Sequence, residues 1–181
     1  MSQRTLVLLA HPDLAGSRVA ARLSDAVRDL AGITVHDLAT ARVDGRFDVA
    51  AEQRLLAEHD TVVWQFPWYW YSVPGLLKDW MDQVLTYGFA YGSGGDALRG
   101  KTLQVVTSTG GPEASYSPGG HNRFTMTELM RPIDATAHLC GMTLAEPMVL
   151  HGAHGLADES IAAYADGYRG LLGAAPLLAS A

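Results

Sequence analysis

Cysteine is almost missing: Cys140 is the single one in 181 residues. No intrachain disulfide can form, and a lone thiol fits a reducing, cytoplasmic setting. Long hydrophobic runs are missing too, since none reaches the roughly eighteen residues that a membrane span requires. The apolar start, Thr5 to Ala10, is cut short by His11-Pro12-Asp13 with no small-residue cleavage site behind it, so it reads as a strand and not a signal peptide. Positive charge is scarce: 13 Lys and Arg against 19 Asp and Glu leave a net charge of −6, and no basic cluster appears. That excludes a general nucleic-acid binder. No Gly-x-Ser-x-Gly turn is present for a hydrolase. A receiver-type signalling domain would need paired acids after its first strand and a lysine after its fifth. Asp13 stands alone here, and no lysine follows Lys101. His151 and His154 have a metal-like spacing, but no cysteine or carboxylate completes a ligand set, so no metal is expected.

What is present is a core and a pattern. Hydrophobic residues make up 48% of the chain, enough for one domain spanning 1–181 with an alanine-rich tail that frays from about 174. Continuous apolar runs mark strands at Thr5 to Ala10, Ile33 to Leu38, Thr61 to Phe66, Lys101 to Thr107 and Thr143 to Leu150, the last interrupted at Pro147. Helical spacing of apolar residues lies between them, over Arg18 to Leu30, Val49 to Glu58, the stretch after Pro74, Asn122 to Cys140 and Asp158 to Leu172. Strands alternating with helices predict a parallel sheet with right-handed crossovers. Five of them predict an α/β, flavodoxin-like three-layer sandwich of strand order 2-1-3-4-5, with its switch point between strands one and three.

The aromatic residues are concentrated. Trp64, Trp68, Tyr69, Trp70 and Tyr71 crowd one stretch, Trp64-Gln65-Phe66-Pro67-Trp68-Tyr69-Trp70-Tyr71-Ser72-Val73-Pro74. It reads as a strand end, an aromatic loop, and a helix with Ser72 as N-cap and Pro74 in the first turn. In the predicted order, this loop opens on the same sheet edge as the loops His11 to Ser17 and Ser108 to Gly120. The first offers a hydroxyl and free amides at a helix N-terminus, an anion site. The aromatic loop offers rings, and the third offers hydroxyls with a Gly-Gly pair that lets backbone approach a ligand. A phosphate pocket beside a flat aromatic wall suits a mononucleotide, flavin mononucleotide (FMN) most economically. His138 is expected to be packed on its helix, and Cys140 to be an inert buried thiol.

Several stretches in order carry a family likeness: Ala10-His11-Pro12, Gln65-Phe66-Pro67, Trp70-Tyr71-Ser72-Val73-Pro74, Leu76-Leu77-Lys78, Phe89-Ala90-Tyr91-Gly92, Thr109-Gly110-Gly111 and Cys140-Gly141. The chain resembles the flavodoxin-like NAD(P)H:quinone oxidoreductases. These include mammalian quinone reductase and, more closely, the bacterial ancillary flavoproteins of glutathione-gated potassium efflux. The resemblance implies FMN, in preference to FAD, with NAD(P)H as co-substrate and ping-pong hydride transfer through flavin N5 to a quinone or similar electrophile. It implies that His11, Ser17, Arg18, Val19 and Ala20 bind the ribityl phosphate. Pro67, Trp68, Tyr69, Trp70 and Tyr71 would line the isoalloxazine, while Ser108, Thr109, Gly110 and Gly111 hold its pyrimidine end. Tyr116 and His121 match the residues that assist hydride transfer, although the spacing between them is one residue shorter here. Ala20 stands where relatives carry a polar residue, with Arg18 as a compensating phosphate contact, and Tyr69 stands where they often carry Gln. The resemblance also implies a homodimer with its active site at the subunit boundary. The alternative reading is a regulatory flavoprotein in the cytoplasm, docked on a potassium-efflux protein at the inner face of the membrane.

Overall fold

Every residue of Thr5–Leu9 and of Thr61–Pro67 is buried, as continuous apolar runs require in a sheet covered on both faces. These are β1 and β3 of a computed structural model that describes residues 4–173; the expected frayed tail from about 174 lies outside the described residues. In order, β1 is followed by α1 (Arg18–Val27), β2 (Ile33–Asp37), α2 (Leu38–Ala41), α3 (Val49–Ala57), β3, α4 (Gly75–Val84) and β4 (Thr102–Ser108). The second half adds α5 (Met126–Leu129), α6 (Arg131–Leu139), β5 (Thr143–Leu144), β6 (Met148–Leu150) and α7 (Asp158–Gly173). The strands pair in parallel in the order β2-β1-β3-β4-β5, the order that the alternation predicts.

Side-chain alternation sorts the core into two layers. Leu6, Leu8, Val62, Trp64, Phe66, Leu103 and Val105 face the side covered by α3, α4 and α6, where Leu56, Leu77, Trp80, Ile133 and Ala137 meet them. Val7, Val63 and Val106 face the other side, under Val19, Leu23 and Val27 of α1 and Ile161, Ala165 and Tyr168 of α7. One carboxylate enters the first layer. Glu52, only 4% exposed, accepts from the Trp80 indole at 2.9 Å and lies 2.8 Å from His36 Nε2. Both of its oxygens are thereby satisfied, as burial demands.

Three expected elements differ. The fifth strand divides at Pro147 into β5 and β6, both paired with β4, because proline has no N–H for a ladder. The helix expected over Asn122 to Cys140 starts only at Met126, behind a capping box of Thr125 and Glu128, and is split into α5 and α6. Pro132 in the first turn of α6 removes a helical N–H and crowds the preceding turn. Third, Ser72 is not the N-cap of α4. That position is Pro74, with no side-chain cap bond, and Ser72 is instead tied to Tyr69 by a reciprocal backbone pair at 3.0 and 3.1 Å.

Candidate active site

The C-terminal ends of β1, β3 and β4 deliver their loops to one edge of the sheet, at the point where the strand order reverses. They enclose a cavity of about 570 Å³. The first loop supplies His11, Ser17, Arg18 and Val19. Ser17 is the N-cap of α1, its hydroxyl accepting from the Ala20 N–H at 3.0 Å. The amides that follow have no intrahelical acceptor, so the positive end of the helix faces the loop. His11 Nδ1 accepts from the Asp13 N–H at 3.1 Å, which leaves Nε2 to carry the ring proton in the neutral imidazole. Burial lowers the His11 pKa, with Asp13 and Asp37 opposing in part.

Two of the proposed phosphate ligands sit otherwise than the resemblance implies. Ala20 is buried, and its carbonyl accepts from Gln65 Nε2 at 2.9 Å. The Arg18 guanidinium is held by the Asp158 carboxylate at 2.6 Å and by the Leu156 carbonyl at 3.1 Å. Arg18 still lines the cavity, but its charge is shared with an acid at the start of α7.

The second loop divides its rings between two spaces. Pro67, Trp68 and Tyr69 line the first cavity. Trp68, Trp70 and Tyr71 line a second cavity of about 400 Å³, and Trp68 is common to both linings, so the two cavities adjoin there. Trp68 is buried at 7% exposure and not part of an open apolar patch; the ring that stands in solvent is Trp70, 94% exposed. Phe66 stacks behind Trp68, with centroids 6.1 Å apart and planes at 28°. The Trp68 indole N–H has no acceptor among the described residues. A buried donor left in that condition is costly to the protein alone. Trp70 and Tyr71 both have positive φ, 51° and 60°. With the Tyr69–Ser72 pairing, they form a two-residue turn of the kind that normally holds Asn-Gly.

The third loop closes both cavities. Ser108, Thr109 and Gly110 line the first, while Gly111, Tyr116 and His121 line the second. Gly110 allows a close approach there: a Cβ would lie 3.0 Å from the His154 ring, which would have to give way. Tyr71 donates its hydroxyl proton to Asn122 Oδ1 at 3.3 Å, bridging the aromatic turn to this loop. The structure therefore brings Tyr116 and His121 into one cavity with the rings of Trp68, Trp70 and Tyr71.

A fourth loop, after β6, is missing from the expected site. His154 and Ala153 line the first cavity, and His151 packs its ring on Tyr116 with centroids 5.2 Å apart. The signal for it lies in the pairing of β6 with β4, which places residue 151 beside Thr109. Among the described residues no metal cluster appears; His154 lines the first cavity, and His151 lies against Tyr116 of the second. His138, expected to be packed, is exposed at the end of α6. Cys140 is a free, buried thiol whose pKa burial raises, as expected of an inert one. No described helix is long and apolar enough to cross a membrane.

Loops gathered at the switch point of a doubly wound parallel sheet define an α/β protein of flavodoxin type. The chain belongs to the family described as "Flavodoxin-like fold", whose model matches residues 3–172. An uncharacterized NAD(P)H oxidoreductase, YdeQ of Bacillus subtilis, is 44% identical over 165 residues, covering 91% of this chain and 84% of that protein. The glutathione-regulated potassium-efflux system ancillary protein KefG of Pectobacterium carotovorum is 43% identical over 170 residues, 93% of each chain. Among solved structures, general stress protein 14 of Treponema denticola, in complex with FMN, superposes with a TM-score of 0.89 at 42% identity, covering 93% of this chain and 97% of the other. An NADPH-quinone reductase from P. pentosaceus gives 0.85 at 35% identity, with the same coverage.

Proposed function

We propose that this protein is an FMN-dependent NAD(P)H:quinone oxidoreductase. The observation that carries the reading is the pair of adjoining cavities that share Trp68, one with a phosphate-ready helix end and one lined by rings with Tyr116 and His121 in its wall. The family relatives named for NAD(P)H oxidation, quinone reduction and FMN support it.

The residues fit FMN on chemical grounds. The N-terminal amides of α1, with the Ser17 hydroxyl and the His11 Nε2 proton, would hold the phosphate. Pro67, Trp68 and Tyr69 would hold the ring system, and Ser108 to Gly110 its polar end. The unmatched Trp68 N–H adds a donor that the protein does not itself satisfy. Bound there, FMN supplies acceptance and release of hydride. The second cavity then admits NAD(P)H and a flat acceptor in turn. Trp70 and Tyr71 offer rings for them to stack on, with Tyr71 tied to Asn122. The Tyr116 hydroxyl offers a proton to negative charge that develops next to the cavity, a donor effective because it is already in place. His121 exchanges that proton with solvent, being exposed on the same loop. We place the protein in the cytoplasm. The exposed turn Tyr69–Ser72 supports a homodimer in which a second copy covers the site.

A second, compatible reading is favoured by the 43% identity to KefG: an ancillary flavoprotein that docks on a potassium-efflux membrane protein. Initial rates of the FMN-loaded protein, over a matrix of NADPH or NADH and a small quinone, test the enzyme reading. Parallel double-reciprocal lines are expected. Tyr116→Phe and His121→Gln should keep FMN yet slow its reduction by about 10²-fold or less, the low end of acid–base assistance. FMN-loaded protein that consumes no NAD(P)H with any quinone would leave only the docking reading.

A further inference from the structure

The fourth loop is stitched to the third by backbone. The Thr109 N–H donates to Leu150 O, the Ala153 N–H to Thr109 O and the Gly152 N–H to Gly111 O, each at 2.9 Å. Gly152 turns the chain with φ of 71°, a conformation that favours glycine. His151 lies inside this stitch. Its Nδ1 is 3.0 Å from Thr109 Oγ1, and the same hydroxyl is 2.8 Å from Gly111 O.

A threonine hydroxyl has one proton and two lone pairs, and a carbonyl oxygen can only accept. The Thr109 proton therefore goes to Gly111 O, and the hydroxyl presents a lone pair to His151. Nδ1 must be the donor in that contact. The imidazole is fixed in tautomer and plane by a threonine that is itself fully buried. Its ring meets the Tyr116 ring at a tilt of 42°. Tyr116 ends the short 3-10 turn Glu113–Ser115 and packs, partly buried, against the core, so the His151 ring adds one contact to those that place it.

We propose that His151 is a positioning residue for hydride transfer: Thr109 fixes the imidazole, and the imidazole holds the Tyr116 ring in the wall of the second cavity. The inference rests on the assignment of Tyr116 to catalysis made above. It also accounts for histidine at this position. Asparagine could keep the donor to Thr109 but has no ring, and phenylalanine could keep the ring but has no donor.

Those two substitutions are the test. In FMN-free protein with labelled tyrosine, His151→Asn should shift the Tyr116 ring resonances while the melting temperature stays near wild type. In FMN-loaded protein it should lower the reduction rate at saturating NADPH by about tenfold, the scale of one lost aromatic contact, with half-saturation unchanged. His151→Phe should fall between it and wild type. In a Tyr116→Ala background, His151→Asn should have no further effect on rate, since residues acting as a unit are not additive. Unmoved Tyr116 resonances, or the same tenfold loss in the Tyr116→Ala background, would overturn the proposal. Wild-type rates in Tyr116→Phe and Tyr116→Ala would instead remove Tyr116 from catalysis. The resonance shift would still report whether His151 places the ring.

Discussion

His11 lines the first cavity and His151 lies against Tyr116 of the second, and burial lowers the pKa of both below the ordinary 6.5. For His151 the nearby Glu113 carboxylate opposes that effect without cancelling it. As pH falls past 6.5, the unfolded chain takes up protons at these rings before the folded chain does, which favours unfolding. Their contribution to stability is complete above 6.5 and is lost as acid approaches the lower folded values. Denaturant melts from pH 8 to 5 should show that decline, and His11→Asn and His151→Asn should each flatten it. The acids held low, Asp29, Asp79, Glu128 and Asp158, do not blur this window, since their shifts are downward from an ordinary value of 4.5 or less. An unaltered slope in both variants would assign the acid sensitivity elsewhere. Single residues were partly legible in the sequence. Ser17 as helix cap and the inert Cys140 follow from neighbours along the chain. His151 does not, because its partners Thr109 and Tyr116 are reached only through the pairing of β6 with β4.

Among the elements, the turn Tyr69–Ser72 shows local preference overruled. Serine followed two residues later by proline is a good helix start, yet the chain spends Ser72 on a hairpin-like pair and begins α4 at Gly75. Two bulky residues in the left-handed region are costly, roughly 1–3 kcal/mol each. Nothing in the local sequence announces such a turn, since Trp-Tyr is far from the Asn-Gly that favours it. The strain places Trp70 in solvent at the mouth of the second cavity, where packing of the protein alone gains little. Trp70→Asn should therefore raise stability by about 1 kcal/mol, read as a higher denaturant midpoint with unchanged slope. It should also weaken turnover of flat acceptors. A lower midpoint would show that the Trp70 ring stabilises the turn. The split of the expected helix at Pro132 and of the fifth strand at Pro147 is easier to understand. A missing N–H acts in any context, and the sequence marked Pro147 for that reason.

For the molecule as a whole, topology was the most legible feature. Buried strands alternating with amphipathic helices leave few parallel arrangements, and the order β2-β1-β3-β4-β5 is the one found. Three of the four site loops follow from that order with only their strand ends known. The fourth does not, because β6 is three residues long and its loop carries histidines with no motif around them. The pair of cavities that adjoin at Trp68 was also hidden, since it depends on Trp68 being buried while Trp70 is exposed. Both cavities converge on one claim, that this fold is built around FMN. Titration of the purified, FMN-free protein with FMN tests it directly, followed by anaerobic addition of NADPH. Stoichiometric binding is expected, with quenching of tryptophan fluorescence because Trp68 lies in the cavity wall, and bleaching of the visible flavin bands on NADPH addition. A protein that stays colourless, with tryptophan fluorescence unmoved by FMN, would contradict it.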